Sequence, residues 1–279
     1  MELTESCADC LYERQMKRCD APEYVREVKR LLANRGKEHS APYLGYLFNQ
    51  LYKEQIGPLP DYKGVKKEYN DFVLAHQKEL RKRIMASADP LRTAIKFARD
   101  GNYIDFAAVS DVNADRLMEL LKNSAWSRKD QETYEKFVDR CEKAESLLLI
   151  TDNCGEIVFD RLMVEQLRNR FEKMKITVLV RGGNVVNDAT REDAVYVGLD
   201  RLAEIIDNGL PVAGTVPELL PPQVLKVLGE SDVILSKGQG NFESLSGNGY
   251  DAFYLLLCKC ELFTNRFRAD RFTGIFVEV

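Results

Sequence analysis

Three apolar runs in this chain each end in a polar cluster. Leu147-Leu148-Leu149-Ile150-Thr151 leads into Asp152-Asn153-Cys154-Gly155-Glu156. Thr177-Val178-Leu179-Val180 leads into Arg181-Gly182-Gly183-Asn184 and then Asn187-Asp188, and Val233-Ile234-Leu235-Ser236 into Lys237-Gly238-Gln239-Gly240-Asn241. Carboxylate and amide oxygens are hard ligands, so Asp152, Asn153 and Asp188 can hold Mg²⁺ or Mn²⁺ with water completing an octahedron. Lys237, in a glycine-rich turn, adds a positive charge beside backbone N–H groups, the equipment for holding a phosphate dianion. Together these groups suit phosphoryl transfer, with the cation polarising a phosphoryl oxygen and Lys237 neutralising charge in the transition state. Asp152 can attack to form an aspartyl-phosphate or can orient a water at the cation, and the residues leave both routes open. Glu156, one helical turn after Asp152, can handle protons.

Each residue also has an ordinary reading. Asp152 or Asn153 can cap a helix that starts near residue 155, and Asp188 can cap one through 191–194. Glu156 fits a surface or capping role equally well, and Lys237 alone reads as a solvated loop lysine. The joint occurrence at three successive strand ends is what favours a site. Only two histidines exist, His39 and His76, so a multi-histidine zinc site is excluded.

Such side chains need strands to carry them. Short apolar runs separated by helical stretches predict strands at 146–151, 176–180, 232–236 and 274–279 in a mostly parallel sheet, with a helix over 158–171 as the first crossover. A further short strand is expected at 211–213. Ligands of open α/β sheets bind beyond the carboxyl ends of the strands, where these clusters lie. Residues 6 to about 100 read as helical, with 3.6-residue periodicity in Val25-Val28-Leu31-Leu32 and Phe72-Val73-His76-Leu80-Ile84. Gly57-Pro58-Leu59-Pro60 interrupts that series with a loop.

The chain has 279 residues, 45% of them hydrophobic, enough for a substantial core. A net charge of −4 gives no basic footprint for nucleic acid, so small molecules or proteins are the expected partners. No apolar run is long enough to span a bilayer and the N-terminus lacks a signal pattern, which predicts a cytoplasmic protein without membrane contact. Seven cysteines in that compartment are expected as thiols. Cys7-x-x-Cys10 with Cys19 has spacing usable by a metal or redox site, although three thiols do not complete a four-ligand set, and structural packing is an equal reading.

The segments Asp152-Asn153-Cys154-Gly155-Glu156 with Phe159-Asp160, Asn187-Asp188-Ala189-Thr190 with Asp193-Ala194, and Ser236-Lys237-Gly238-Gln239-Gly240-Asn241-Phe242-Glu243 together resemble the damage-control phosphatases. Gly101-Asn102-Tyr103-Ile104-Asp105-Phe106 is similar to a fourth signature of that family, and the likeness spans essentially the whole chain. The resemblance implies an all-helical region over 1–100 packed on an α/β/α sandwich over 101–279. It implies Asp152, Asn153 and Asp188 as metal ligands, Asn102 and Asp105 near the substrate, and Lys237 at the phosphate. Asn184, after the second strand, completes the expected substrate-binding set. The substrates implied are phosphorylated sugars and related metabolites, with Ni²⁺ or Co²⁺ as alternatives to Mn²⁺ and Mg²⁺. Cys7, Cys10 and Cys19 match a branch of the family that carries such a cysteine set. Two other functions compete. A methyltransferase using S-adenosylmethionine fits the fold class but lacks a glycine-rich loop after the first strand. A non-catalytic metal or redox module would use the N-terminal cysteines.

Overall fold

A computed structural model describes residues 3–103 and 114–279. Among the described residues, seven helices precede the first strand: α1 (Glu5–Arg18), α2 (Pro22–Ala33), α3 (Ala41–Gln55), α4 (Lys63–Met85), α5 (Pro90–Gly101), α6 (Ala114–Asn123) and α7 (Arg128–Lys143). Their starts follow local chemistry. Thr4, Ser40, Asp89 and Ser127 accept from backbone N–H groups at the heads of α1, α3, α5 and α7, and prolines occupy the first turns of α2, α3 and α5.

The sheet then alternates with helices: β1 (Ser146–Ile150), α8 (Glu156–Arg170), β2 (Lys175–Val180), α9 (Arg191–Tyr196), β3 (Glu204–Asp207), α10 (Pro222–Glu230), β4 (Val233–Lys237), α11 (Gly238–Leu245), β5 (Phe253–Leu257), α12 (Glu261–Phe267) and β6 (Gly274–Glu278). The strand order is β3-β2-β1-β4-β5-β6; β1 to β5 are parallel and β6 closes the edge antiparallel. Leu147 and Leu149 of β1 pack with α5, α7 and α8, whereas Leu148 and Ile150 pack with α10, α11 and α12. Both faces of the sheet are therefore covered, which is why the inner strands read as unbroken apolar runs. The expected three-layer α/β/α architecture is the one observed.

The strands differ from expectation at two places. The run 211–213 is not a strand; its place is taken by β3, an edge strand whose flanking charges Glu204 and Asp207 conceal it in the sequence. Phe253–Leu257, absent from the expected strands, is an interior strand between β4 and β6. Val73, Leu80 and Ile84 of α4 and Leu91, Ala94 and Ile95 of α5 share one core with the sheet, while Tyr24, Val28, Leu44 and Phe48 of α2 and α3 form a separate cluster. The all-helical layer distinct from the sheet's own core is thus α1 to α3. No described helix is long and apolar enough to cross a membrane.

Candidate metal and phosphate site

The strand order reverses between β1 and β4, opening a crevice beyond their carboxyl ends. Thr151 extends the β1 ladder by donating its N–H to Leu179 O at 3.0 Å. The loop after β2 then folds back alongside: Cys154 N–H donates to Asn187 O and Ala189 N–H to Asp152 O, both at 2.8 Å. This short bridge sets Asn153 opposite Asp188 and brings Asp152, Asn153 and Asp188 together.

None of the three serves as the helix cap that its type suggested. The cap position of α8 is Gly155, with no side-chain cap, and α9 is capped by Thr190 in a reciprocal box with Asp193. All three side chains are buried. Asp152 Oδ2 accepts from Asn102 Nδ2 at 3.0 Å and from Asn153 Nδ2 at 2.8 Å. The same two amides donate to Glu156 Oε2 at 2.8 and 3.0 Å. With the amide nitrogen of Asn153 committed to carboxylates, its oxygen lies on the opposite side of the planar group.

Arg181 and Lys237 supply positive charge. Arg181 Nε donates to Asp188 Oδ2 at 2.7 Å and Nη1 to Asn241 Oδ1 at 3.0 Å. Its Nη2, 3.5 Å from Asp152 Oδ1, has no hydrogen-bond partner among the described residues. Lys237 is the last residue of β4 rather than part of a loop, because the glycine-rich segment after it is the first turn of α11. Its ammonium is fully buried between Glu156 Oε1 at 2.5 Å and Asp160 Oδ1 at 2.7 Å. The solvated-lysine reading is thereby excluded, as is a surface role for Glu156, which is fully buried. Two of the three ammonium donors are used by these carboxylates among the described residues.

The electrostatics favour a cation. Burial, and after it the neighbouring Glu156 and Asp188, push the Asp152 carboxyl well above the carboxylate range, while Lys259 and Arg181 oppose the shift. Burial and Glu156 raise Asp160 to about 7 against the pull of Lys237. Burial alone would lower Lys237, but Asp160 and Glu156 hold it above the usual lysine range. A divalent ion would relieve this repulsion among carboxylates. Among the described residues no group of three or more His, Cys, Asp or Glu side chains is placed to hold a metal ion, so the donor set offered is two carboxylates and one amide, all hard oxygens. That is the ligand count expected for Mg²⁺ or Mn²⁺, which keep positions for water and phosphate. Gly238, with φ +78°, completes the cradle, since a Cβ there would lie 1.9 Å from Asp152 Oδ2.

Not every expected residue joins this cluster. Asn102 does, but it is fully buried, with Nδ2 given to Asp152 and Glu156 and Oδ1 accepting from Leu257 N–H at 3.3 Å. It holds carboxylates rather than facing an open pocket. Asp105 lies outside the described residues. Asn184 is exposed and accepts from Lys66 Nζ at 2.9 Å, on the rim of a shallow cleft of about 120 Å³ shared with Arg18, Asn49 and Tyr62. Cys7 and Cys10 lie on α1 and Cys19 at its far end, all as free thiols. Twelve residues of helix separate Cys7 from Cys19 by about 18 Å. One ion shared by all three is therefore ruled out.

Other residues were not assigned from sequence. Arg181 was visible as the first residue after a recognised strand. Lys259 follows β5 and would have been found by the same rule had that strand been recognised. Asn241, which ties Arg181 to the carbonyls of Thr151 at 2.9 Å and Lys237 at 2.6 Å, left no signal beyond its motif.

Residues 3–272 match the model of the damage-control phosphatase ARMT1-like domain. A damage-control phosphatase from Archaeoglobus fulgidus is 31% identical over 280 residues, covering 94% of this chain and 93% of that protein. The damage-control phosphatase PH1575 of Pyrococcus horikoshii is 34% identical over 171 residues, covering 60% of this chain and 58% of the relative. The crystal structure of a DUF89 family protein from Pyrococcus horikoshii superposes with a TM-score of 0.81 at 25% identity, covering 100% of this chain and 99% of that one.

Proposed function

The chain belongs to the damage-control phosphatase family, and from that premise we propose that it hydrolyses phosphate monoesters of small metabolites such as sugar phosphates, using a divalent cation held by Asp152, Asn153 and Asp188. The observation that carries this reading is the convergence of those side chains at the sheet's switch point in positions where none caps a helix. Mn²⁺ or Mg²⁺ suits the donor set best. Bound there, the ion would supply a Lewis acid toward a phosphoryl oxygen.

The protein's own residues do the rest. Asn102 and Asn153 orient the Asp152 carboxylate, and Arg181 orients that of Asp188. Arg181 Nη2, which has no hydrogen-bond partner among the described residues, and the remaining N–H of Lys237 are preorganised donors for phosphoryl oxygens, in a setting where burial strengthens each contact. Glu156 and Asp160 keep Lys237 charged and fix its direction. The buried carboxylates beyond β1 argue against the methyltransferase reading, which calls for a glycine-lined nucleoside turn there.

The test is a screen of sugar phosphates and a generic aryl phosphate, with single divalent cations returned to chelated protein. Phosphate release that depends on the added cation is expected. Full activity after thorough chelation, or no turnover on any monoester, would overturn the proposal.

A further inference from the structure

Helix α4 belongs to the segment expected to form a separate helical region, yet it reaches both loops of the candidate metal site. Asn70 is fully buried on that helix. Its Oδ1 accepts from Gly155 N–H at 2.7 Å, and its Nδ2 donates to Asp193 Oδ1 at 3.3 Å. Gly155, with φ +79°, ends the turn that carries Asp152 and Asn153, and heads α8 without a side-chain cap. Asp193 in turn accepts from Thr190 N–H at 2.9 Å and Thr190 Oγ1 at 2.7 Å, two residues beyond Asp188. One turn earlier on α4, the buried Lys66 reaches Asp193 Oδ2 at 2.7 Å and Asn184 Oδ1 at 2.9 Å.

These bonds link the two ligand-bearing segments from outside, through side chains, while the backbone bonds at Cys154 and Ala189 link them from within. A buried amide is costly unless every bond is made, and asparagine is a weak helix former. Packing alone would be served better by an apolar residue. The position makes physical sense where a rigid element must hold two loops in register, as outer partners of metal ligands do.

We infer that Asn70 is a positioning residue for the metal site, holding the Asp152–Asn153 turn against the Asp188 segment, so that helix α4 is part of the cation-binding apparatus. The inference rests on the metal reading above. Its test uses the chelated full chain titrated calorimetrically with Mn²⁺, beside thermal melts. Asn70→Ala is expected to weaken Mn²⁺ binding about 10–100-fold. Val73→Ala, which trims a buried core residue on the same helix, is expected to lower Tm while leaving Mn²⁺ affinity within about twofold, because its effect is confined to packing. Asn70→Ser, which keeps a shorter polar group, is expected to fall between wild type and Asn70→Ala. Folded Asn70→Ala or Asn70→Ser protein with wild-type Mn²⁺ affinity would overturn the inference. So would failure of both Asn70 variants to fold while Val73→Ala folds, which would make Asn70 a folding residue. Absence of Mn²⁺ binding by the wild-type chain is a distinct result, and would overturn the metal reading itself.

Discussion

Gly238→Ala tests the geometry of the cradle most directly. Gly238 has φ +78°, and an added Cβ would lie 1.9 Å from Asp152 Oδ2 and 2.4 Å from its Cγ. Such contacts require at least about 3 Å, so the carboxylate must retreat by about 1 Å, a misplacement that costs on the order of 10²-fold in catalysis. That retreat also breaks the bonds from Asn102 and Asn153, which converge on the same oxygen. The left-handed backbone adds roughly 1–2 kcal/mol of folding cost for a residue with a Cβ. The assay is kcat/KM on an aryl phosphate at saturating Mn²⁺, read beside urea unfolding. Gly64→Ala is the control, since no atom lies within 4 Å of its added Cβ on helix α4; it should keep full activity and gain up to about 1 kcal/mol from helix propensity. A Gly238→Ala enzyme with kcat/KM within about threefold of wild type would refute the argument that this glycine makes room for the Asp152 carboxylate.

Asp152→Ala and Asp188→Ala are each expected to abolish cation-stimulated phosphate release while circular dichroism remains native; retained turnover in both would sink the ligand assignment. Lys237→Ala strands Glu156 and Asp160 in the core, and breaking a buried pair in this way costs roughly 3–5 kcal/mol, so urea midpoints should fall together with activity. Lys66 and the N–H and hydroxyl of Thr190 hold the Asp193 carboxyl below the usual range although burial opposes them. Its folded pKa is thus depressed, so its contribution is present above about pH 4 and disappears as pH falls through the folded value. Asp193→Asn should therefore lower Tm at pH 7 and show a smaller difference from wild type in strong acid; an unchanged difference across that range would contradict the assignment.

Strands β1, β2 and β4, the crossover helix α8 and the polar clusters at those three strand ends were legible because their signals are local. A strand buried on both faces must be apolar along its length, and the residues just beyond its end must be polar if they meet a crevice. Elsewhere the reading failed: β3 lies at an edge among charges while 211–213 offered a competing apolar run, and β5 was missed although it is apolar along its whole length. The residue types alone also made Asp152, Asn153 and Asp188 equally good helix caps. Only the fold-back of the loop after β2 decided that question, because it supplies the backbone bonds that bring residue 188 beside residues 152 and 153. The burial of Lys237 between Glu156 and Asp160 was likewise a tertiary result, since a lysine next to glycines reads as a loop residue until β4 is seen to end beneath α8. Sequence pattern thus determined which donors the chain owns and which strands carry them, because hydrophobic periodicity and ligand chemistry are properties of short segments. Strand order, and with it the meeting of Asn70, Asn102, Arg181 and Asn241 around those donors, was decided by packing between residues far apart in the chain, which no local pattern encodes.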